Sequence, residues 1–173
     1  MAQTTTTAHR IKQGLRLPIS GAPTQQISPG PAIKSVALVG ADYPDMRPRL
    51  RVNEGDTVDR GQALFEDRKT RGVVYTSPGA GTIAAVHRGE RRAFESIVID
   101  LDENERSGTT KPREIRYKAF LDQPVDRLSA EQVRDLLVES GQWTALRKRP
   151  YDKVPATDTR PESIFVTAID TNP

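Results

Sequence analysis

Val52-Asn53-Glu54-Gly55-Asp56-Thr57-Val58-Asp59-Arg60-Gly61-Gln62-Ala63-Leu64-Phe65 is the stretch on which the fold turns. Gly55 and Gly61 supply turn positions, and the acid after the first glycine tolerates one. Val52, Val58, Leu64 and Phe65 are the apolar residues between them, spaced to face a core. The pattern predicts a tight β-hairpin about Val58.

Short apolar runs separated by Gly and Pro surround this stretch: Val36–Val39, Leu50–Val52, Ala63–Phe65, Val73–Tyr75, Thr82–Val86 and Ile97–Leu101. Many short strands at regular spacing point to a small sandwich or barrel. The 52–65 stretch resembles the hairpin of biotinyl and lipoyl carrier domains, and Ser77-Pro78-Gly79-Ala80-Gly81-Thr82-Ile83 resembles their next strand. That resemblance implies a barrel-sandwich hybrid. A faint repeat, Val52-Asn-Glu-Gly55-Asp56 against Val86-His-Arg-Gly89-Glu90, suggests paired half-motifs with each glycine at positive φ.

The expected organisation is a flexible tail at 1–10 and a Gly/Pro-rich extended segment at 11–32 that wraps the β domain at 33–102. A linker follows at 103–127, opening with the polar loop 102–113 and holding a short strand at Glu114–Phe120. From residue 128 the pattern turns helical. Ser129 caps, Gln132 completes a capping box, and Leu128 and Val133 stand at staple spacing. Val133, Leu136 and Leu137 form one face, and Gly141 ends the helix. A second helical turn is expected from Trp143 to Arg149, and a buried strand over Ser163–Ile169. Residues 128–173 therefore read as the start of a truncated, Rossmann-like α/β domain.

Composition removes several chemistries. There is no cysteine, which leaves no disulfide, thiolate metal site or Cys nucleophile. The two histidines, His9 and His87, are too few for a zinc site or a Ser–His dyad to be built easily. No run approaches a membrane span, and Met1–Arg10 lacks a secretory apolar region. Residues 1–51 carry seven Lys/Arg against Asp42 and Asp45, while the remainder is nearly balanced. That basic end suits an acidic partner or an anionic membrane surface, or is simply solvated. Nucleic acid fits poorly, since no basic stripe with interleaved aromatics is present.

Three motifs admit a functional reading beside a plain one. Lys69, in Glu66-Asp67-Arg68-Lys69-Thr70, sits about where a carrier places its modified lysine, but the flanking Met-Lys-Met or Asp-Lys-Ala is missing. An unmodified hairpin lysine is the simpler reading. Gly79-Ala80-Gly81-Thr82-Ile83-Ala84 matches G-x-G-x-x-A, but that fingerprint needs a following helix, and Thr82-Ile83 are β-branched. Arg147-Lys148-Arg149 suits phosphate or an acidic partner, and equally a solvated helix end. Trp143 reads as a core or interface anchor.

Read together, several blocks resemble the A subunit of the Na⁺-translocating NADH:quinone reductase family. They are Lys12–Pro23, Val36–Tyr43 with Met46-Arg47-Pro48, Ser140–Pro150, Lys153–Ala156 and Ile164–Pro173. The resemblance runs from about Ile11 to the end. It implies a peripheral subunit on the cytoplasmic face of the bacterial inner membrane, in a six-subunit complex that oxidises NADH, reduces ubiquinone and exports Na⁺. It implies docking to the other subunits, the B subunit above all, and support of a quinone site. No cofactor is expected on this chain, flavins and iron–sulfur centres belonging to other subunits, and no catalytic residue or metal ligand is assigned. Arg147, Lys148, Arg149 and Tyr151 are the expected partner-contact residues. Two alternatives remain open: a lipoyl- or biotin-type carrier using Lys69, and a nucleotide- or flavin-binding enzyme fragment.

Overall fold

A computed structural model describes residues 20–21, 24–108 and 110–166. The chain divides into two units, Met1–Pro31 and Ala32–Pro173. The described residues of the first unit are exposed and lack regular structure. The tail expected at 1–10 and most of the segment expected at 11–32 lie outside the described residues.

The second unit is built on two antiparallel sheets. Strands β1 (Ser35–Val39), β7 (Phe94–Leu101), β6 (Gly81–Arg88) and β3 (Thr57–Val58) form one, in the order β1-β7-β6-β3. Strands β2 (Pro48–Leu50), β4 (Ala63–Asp67) and β5 (Val74–Thr76) form the other, in the order β2-β4-β5. Between them Val58, Leu64, Phe65, Val73, Tyr75, Ile83, Ile97 and Ile99 are almost wholly shielded from solvent. This is the barrel-sandwich hybrid expected from the sequence.

The deciding stretch is more than a hairpin. β2 pairs with β4, while β3 between them pairs with β6 of the opposite sheet. Two turns hand the chain across and back. At the first, Gly55 has φ +88°, its N–H donates to the Ile83 carbonyl at 2.8 Å, and Asp56 Oδ2 accepts from the Asn53 N–H at 2.7 Å. At the second, Gly61 N–H donates to the Ser77 carbonyl and Ser77 N–H to the Gln62 carbonyl, each at 2.8 Å. Period-two alternation registers burial and is silent about which strand takes the backbone bonds. The faint repeat fails at its second glycine. Gly89 has φ −90°, outside the left-handed region.

Beyond β7 the structure departs from expectation in several places. The polar loop holds a short helix, α1 (Glu103–Ser107), whose Glu105 reaches back to the Ala80 N–H at 3.1 Å and to Arg60 at 2.6 Å. Glu114–Phe120 makes no strand. A single parallel bridge joins Glu114 to Arg60, with Arg60 N–H donating to the Arg113 carbonyl at 3.0 Å and Ile115 N–H to the Arg60 carbonyl at 2.9 Å.

Helix α2 (Ala130–Glu139) forms as its caps dictate. Ser129 Oγ accepts from Gln132 N–H at 3.2 Å, and Gln132 Oε1 accepts from Ser129 N–H at 2.8 Å. Gly141, at φ +77°, ends it. The helical turn expected over Trp143–Arg149 is a 3-10 turn at Gln142–Ala145 only. Residues beyond it open into a loop closed by the Lys148–Lys153 bridge. The strand expected over Ser163–Ile169 is unformed at 163–166, and 167–169 lie outside the described residues. Ile164, Phe165 and Val166 are more than 70% exposed there. A strand needs a neighbour for its backbone groups, and among the described residues none pairs with this segment.

Candidate functional site

Residues 140–157 pack onto the β2-β4-β5 sheet and with it form a groove of about 580 Å³. Several contacts fix that packing. Trp143, only 6% exposed, joins the barrel core, and its indole N–H donates to the Pro155 carbonyl at 2.9 Å. Thr76 Oγ1 on β5 donates to the Ser140 carbonyl at 3.0 Å. Arg147 donates to the Asp42 carbonyl at 3.0 Å, and its guanidinium lies 5.1 Å from the Tyr43 ring centre, within cation–π range.

The floor is aromatic. Tyr43 meets Tyr75 edge-on at 4.7 Å, and Tyr75 stacks on Phe65 at 4.6 Å, which tilts against Phe94 at 5.1 Å. Burial raises the Tyr43 hydroxyl above its ordinary pKa, opposed by the Arg147 charge and reinforced by Asp42. Tyr75 is raised further, by burial first and then by Asp67 and Tyr43. Both phenols therefore stay neutral at physiological pH.

The rim is ionic. Asp45, at φ +66°, holds Lys69 on one oxygen and Lys153 on the other, the latter at 2.7 Å. Hydrogen bonds from Lys153 and then Lys69 draw its carboxyl down to about 2. Asp67 accepts the backbone N–H groups of Arg47 and Lys69, each at 3.0 Å. Of the three carboxylates that line the groove, Asp45, Asp67 and Asp158, the first two are thus engaged. Among the described residues no cluster of three His, Cys, Asp or Glu side chains could hold a metal ion. The chemistry on offer is recognition: an edge-to-face pair of tyrosines, Tyr75 nearly buried beneath Tyr43, with ammonium donors at the rim.

The residues expected from sequence divide. Arg147 clamps Tyr43 and Asp42, and one of its guanidinium nitrogens is buried without a partner. Lys148 lines the groove, and its N–H donates to the Lys153 carbonyl at 2.8 Å. Arg149 and Tyr151 sit exposed on the outer turn, Tyr151 at 72%. Sequence reasoning missed Tyr43, Asp45, Tyr75 and Lys153. Nothing local shows that residues 43–46 meet residues 147–153.

The other motifs take structural explanations. Lys69 is held by Asp45 instead of standing free at a hairpin tip. Gly79–Ala84 leads into β6 and no helix follows. Gly81 is required because a Cβ there would press into the Asp100 carbonyl on β7.

Comparison with known proteins gives two family matches. The NqrA N-terminal barrel-sandwich hybrid domain matches residues 9–102, and the NqrA second alpha/beta domain matches residues 128–173. Among curated proteins, the A subunit of the Na(+)-translocating NADH-quinone reductase of Neisseria meningitidis serogroup B is 50% identical over 164 residues. Its counterparts in Pasteurella multocida and Pseudomonas aeruginosa are 51% and 52% identical over 163 and 164 residues. Each alignment covers 94–95% of this chain and 35% of the relative, so the chain spans about a third of their length.

Proposed function

The chain belongs to the NqrA N-terminal barrel-sandwich hybrid domain family, and from that premise we propose that it serves as the N-terminal part of the A subunit in a Na⁺-translocating NADH:quinone reductase. In this reading it docks to the other subunits, the B subunit foremost, on the cytoplasmic face of the inner membrane. No helix among the described residues is long and apolar enough to cross a membrane. NADH, flavins and iron–sulfur centres are assigned to partner subunits.

The single observation behind a role in quinone reduction is the groove. A quinone ring is flat and carries two acceptor oxygens. Tyr43, half-buried, offers an aromatic surface to the ring, and Lys148 at the rim offers a donor to an oxygen, Lys153 being held by Asp45. The carrier reading has less support, since the ammonium group of Lys69 is already paired.

The test uses the tagged full-length protein as bait for detergent-solubilised membranes, followed by quinone reductase assay of what is recovered. Arg149→Ala with Tyr151→Ala changes only exposed positions and is expected to reduce recovery of the membrane subunits. Lys148→Ala is expected to leave recovery intact and raise the KM for quinone. Failure of the unaltered bait to recover any membrane subunits would sink the docking role. An unchanged KM would remove quinone from the groove.

A further inference from the structure

The outward face of the β2–β4 pair is loaded with arginine. The register sets Pro48 opposite Asp67, Arg49 opposite Glu66 and Leu50 opposite Phe65. One step further, Arg68 N–H donates to the Arg47 carbonyl at 2.8 Å, so these two arginines are direct cross-strand neighbours. Side chains alternate faces along a strand. Arg47, Arg49, Arg51, Glu66 and Arg68 therefore share one face, and Leu50 and Phe65 share the other. Glu66 is taken by Arg51 at 2.6 Å and Arg49 at 3.5 Å. Asp67 lies on the opposite face, bound to backbone N–H groups. Arg47, Arg68 and the neighbouring Arg71 are all exposed, and among the described residues no carboxylate pairs with any of them. Arg49, Arg68 and Arg71 also line a concavity with Pro48, Gly72 and the two carboxylates Glu66 and Asp67, the first held by Arg51 and Arg49 and the second by backbone N–H groups.

Like charges placed directly opposite on neighbouring strands are destabilising. Charge on an edge strand can serve to discourage pairing with another chain. That purpose needs charge on β2 alone and gives no reason for Arg68 opposite it. A local rule broken without internal compensation marks a position held for something outside the chain. The guanidinium fork matches the oxygens of a phosphate group, and an anion between two such forks turns repulsion into attraction.

We propose that Arg47, Arg68 and Arg71 form a binding site for a phosphate group, carried either by an anionic lipid headgroup or by a soluble phosphate ester. Arg71 also lines the groove while Arg47 and Arg68 do not, and the proposal does not rest on the quinone reading. Binding to three exposed guanidinium groups is electrostatic and weakens with salt.

Two arms test it on the whole chain. In one, flotation with phosphatidylglycerol-containing vesicles is compared with phosphatidylcholine vesicles. In the other, the thermal shift with inorganic phosphate and with glycerol phosphate is measured. Binding in either arm, reduced about tenfold or more in Arg47→Gln/Arg68→Gln, is expected from two basic contacts. Arg91→Gln/Arg92→Gln, which removes the same charge from a distant exposed turn, is expected to bind normally. Without ligand, the Arg47→Gln/Arg68→Gln protein should melt no lower than the parent, which a merely structural pair would not allow. Vesicle binding with no response to soluble phosphate assigns the site to lipid, and the reverse assigns it to a soluble ester. Absence of binding in both arms, or equal loss in both variants, overturns the proposal.

Discussion

The indole N–H of Trp143 donates to the Pro155 carbonyl at 2.9 Å inside the barrel core. One bond thus closes the 140–157 loop upon itself while the ring fills space beside the β2-β4-β5 sheet. The start of the segment matched to the second alpha/beta domain is in this way built into the first domain's core.

Trp143→Ala should cost about 3–5 kcal/mol, the usual range for removing a large buried aromatic. Trp143→Phe keeps most of the volume and strands the Pro155 carbonyl, so about 1–3 kcal/mol is expected. Denaturant unfolding of both variants checks this. A loss from Trp143→Ala below about 1 kcal/mol would mean that the loop is not part of the core.

Gly141→Ala tests the junction from the other side. The residue has φ +77°, and a Cβ would come within 2.8 Å of Thr76 Oγ1 and 2.9 Å of Thr76 Cγ2. The left-handed backbone alone costs an L-residue about 1–2 kcal/mol, and the contact adds to it. Thr76→Ser removes the methyl while keeping the hydroxyl donor to Ser140. The double variant should therefore recover part of the loss, and a simple sum of the two single effects would contradict the proposed clash.

Asp45 ties the groove rim to pH. Its carboxyl is depressed from an ordinary 3.8 to about 2 by Lys153 and Lys69. A depressed acid contributes stability that is present above its unfolded pKa and lost as pH falls through the folded one. The melting-temperature gap between the parent and Asp45→Asn should be widest above an ordinary 3.8 and close towards about 2. Salt should narrow it as well, because the group is exposed. A gap that persists at the acid end would show that the two lysines are not its source.

The sequence by itself determined what is local. Five of the six apolar runs lie wholly or mostly in strands, while of Leu50–Val52 only Leu50 does, because strand residues alternate faces whatever the neighbours are. The caps of α2 were legible because Ser129 and Gln132 satisfy each other's N–H groups within four residues. Gly55 and Gly141 were legible as turn formers, and both adopt positive φ. Only the tertiary structure decided which strands pair, since β3 leaves its sequence neighbours for β6 across the core. It also decided the groove: Lys153 reaches Asp45 across 108 positions and Arg147 reaches Asp42 across 105. Such contacts depend on closing a long loop against its entropy, and the burial of Trp143 and the aromatic floor is what offsets that cost. No short window of sequence contains both ends of that loop, so neither the groove nor its ion pairs could be read there.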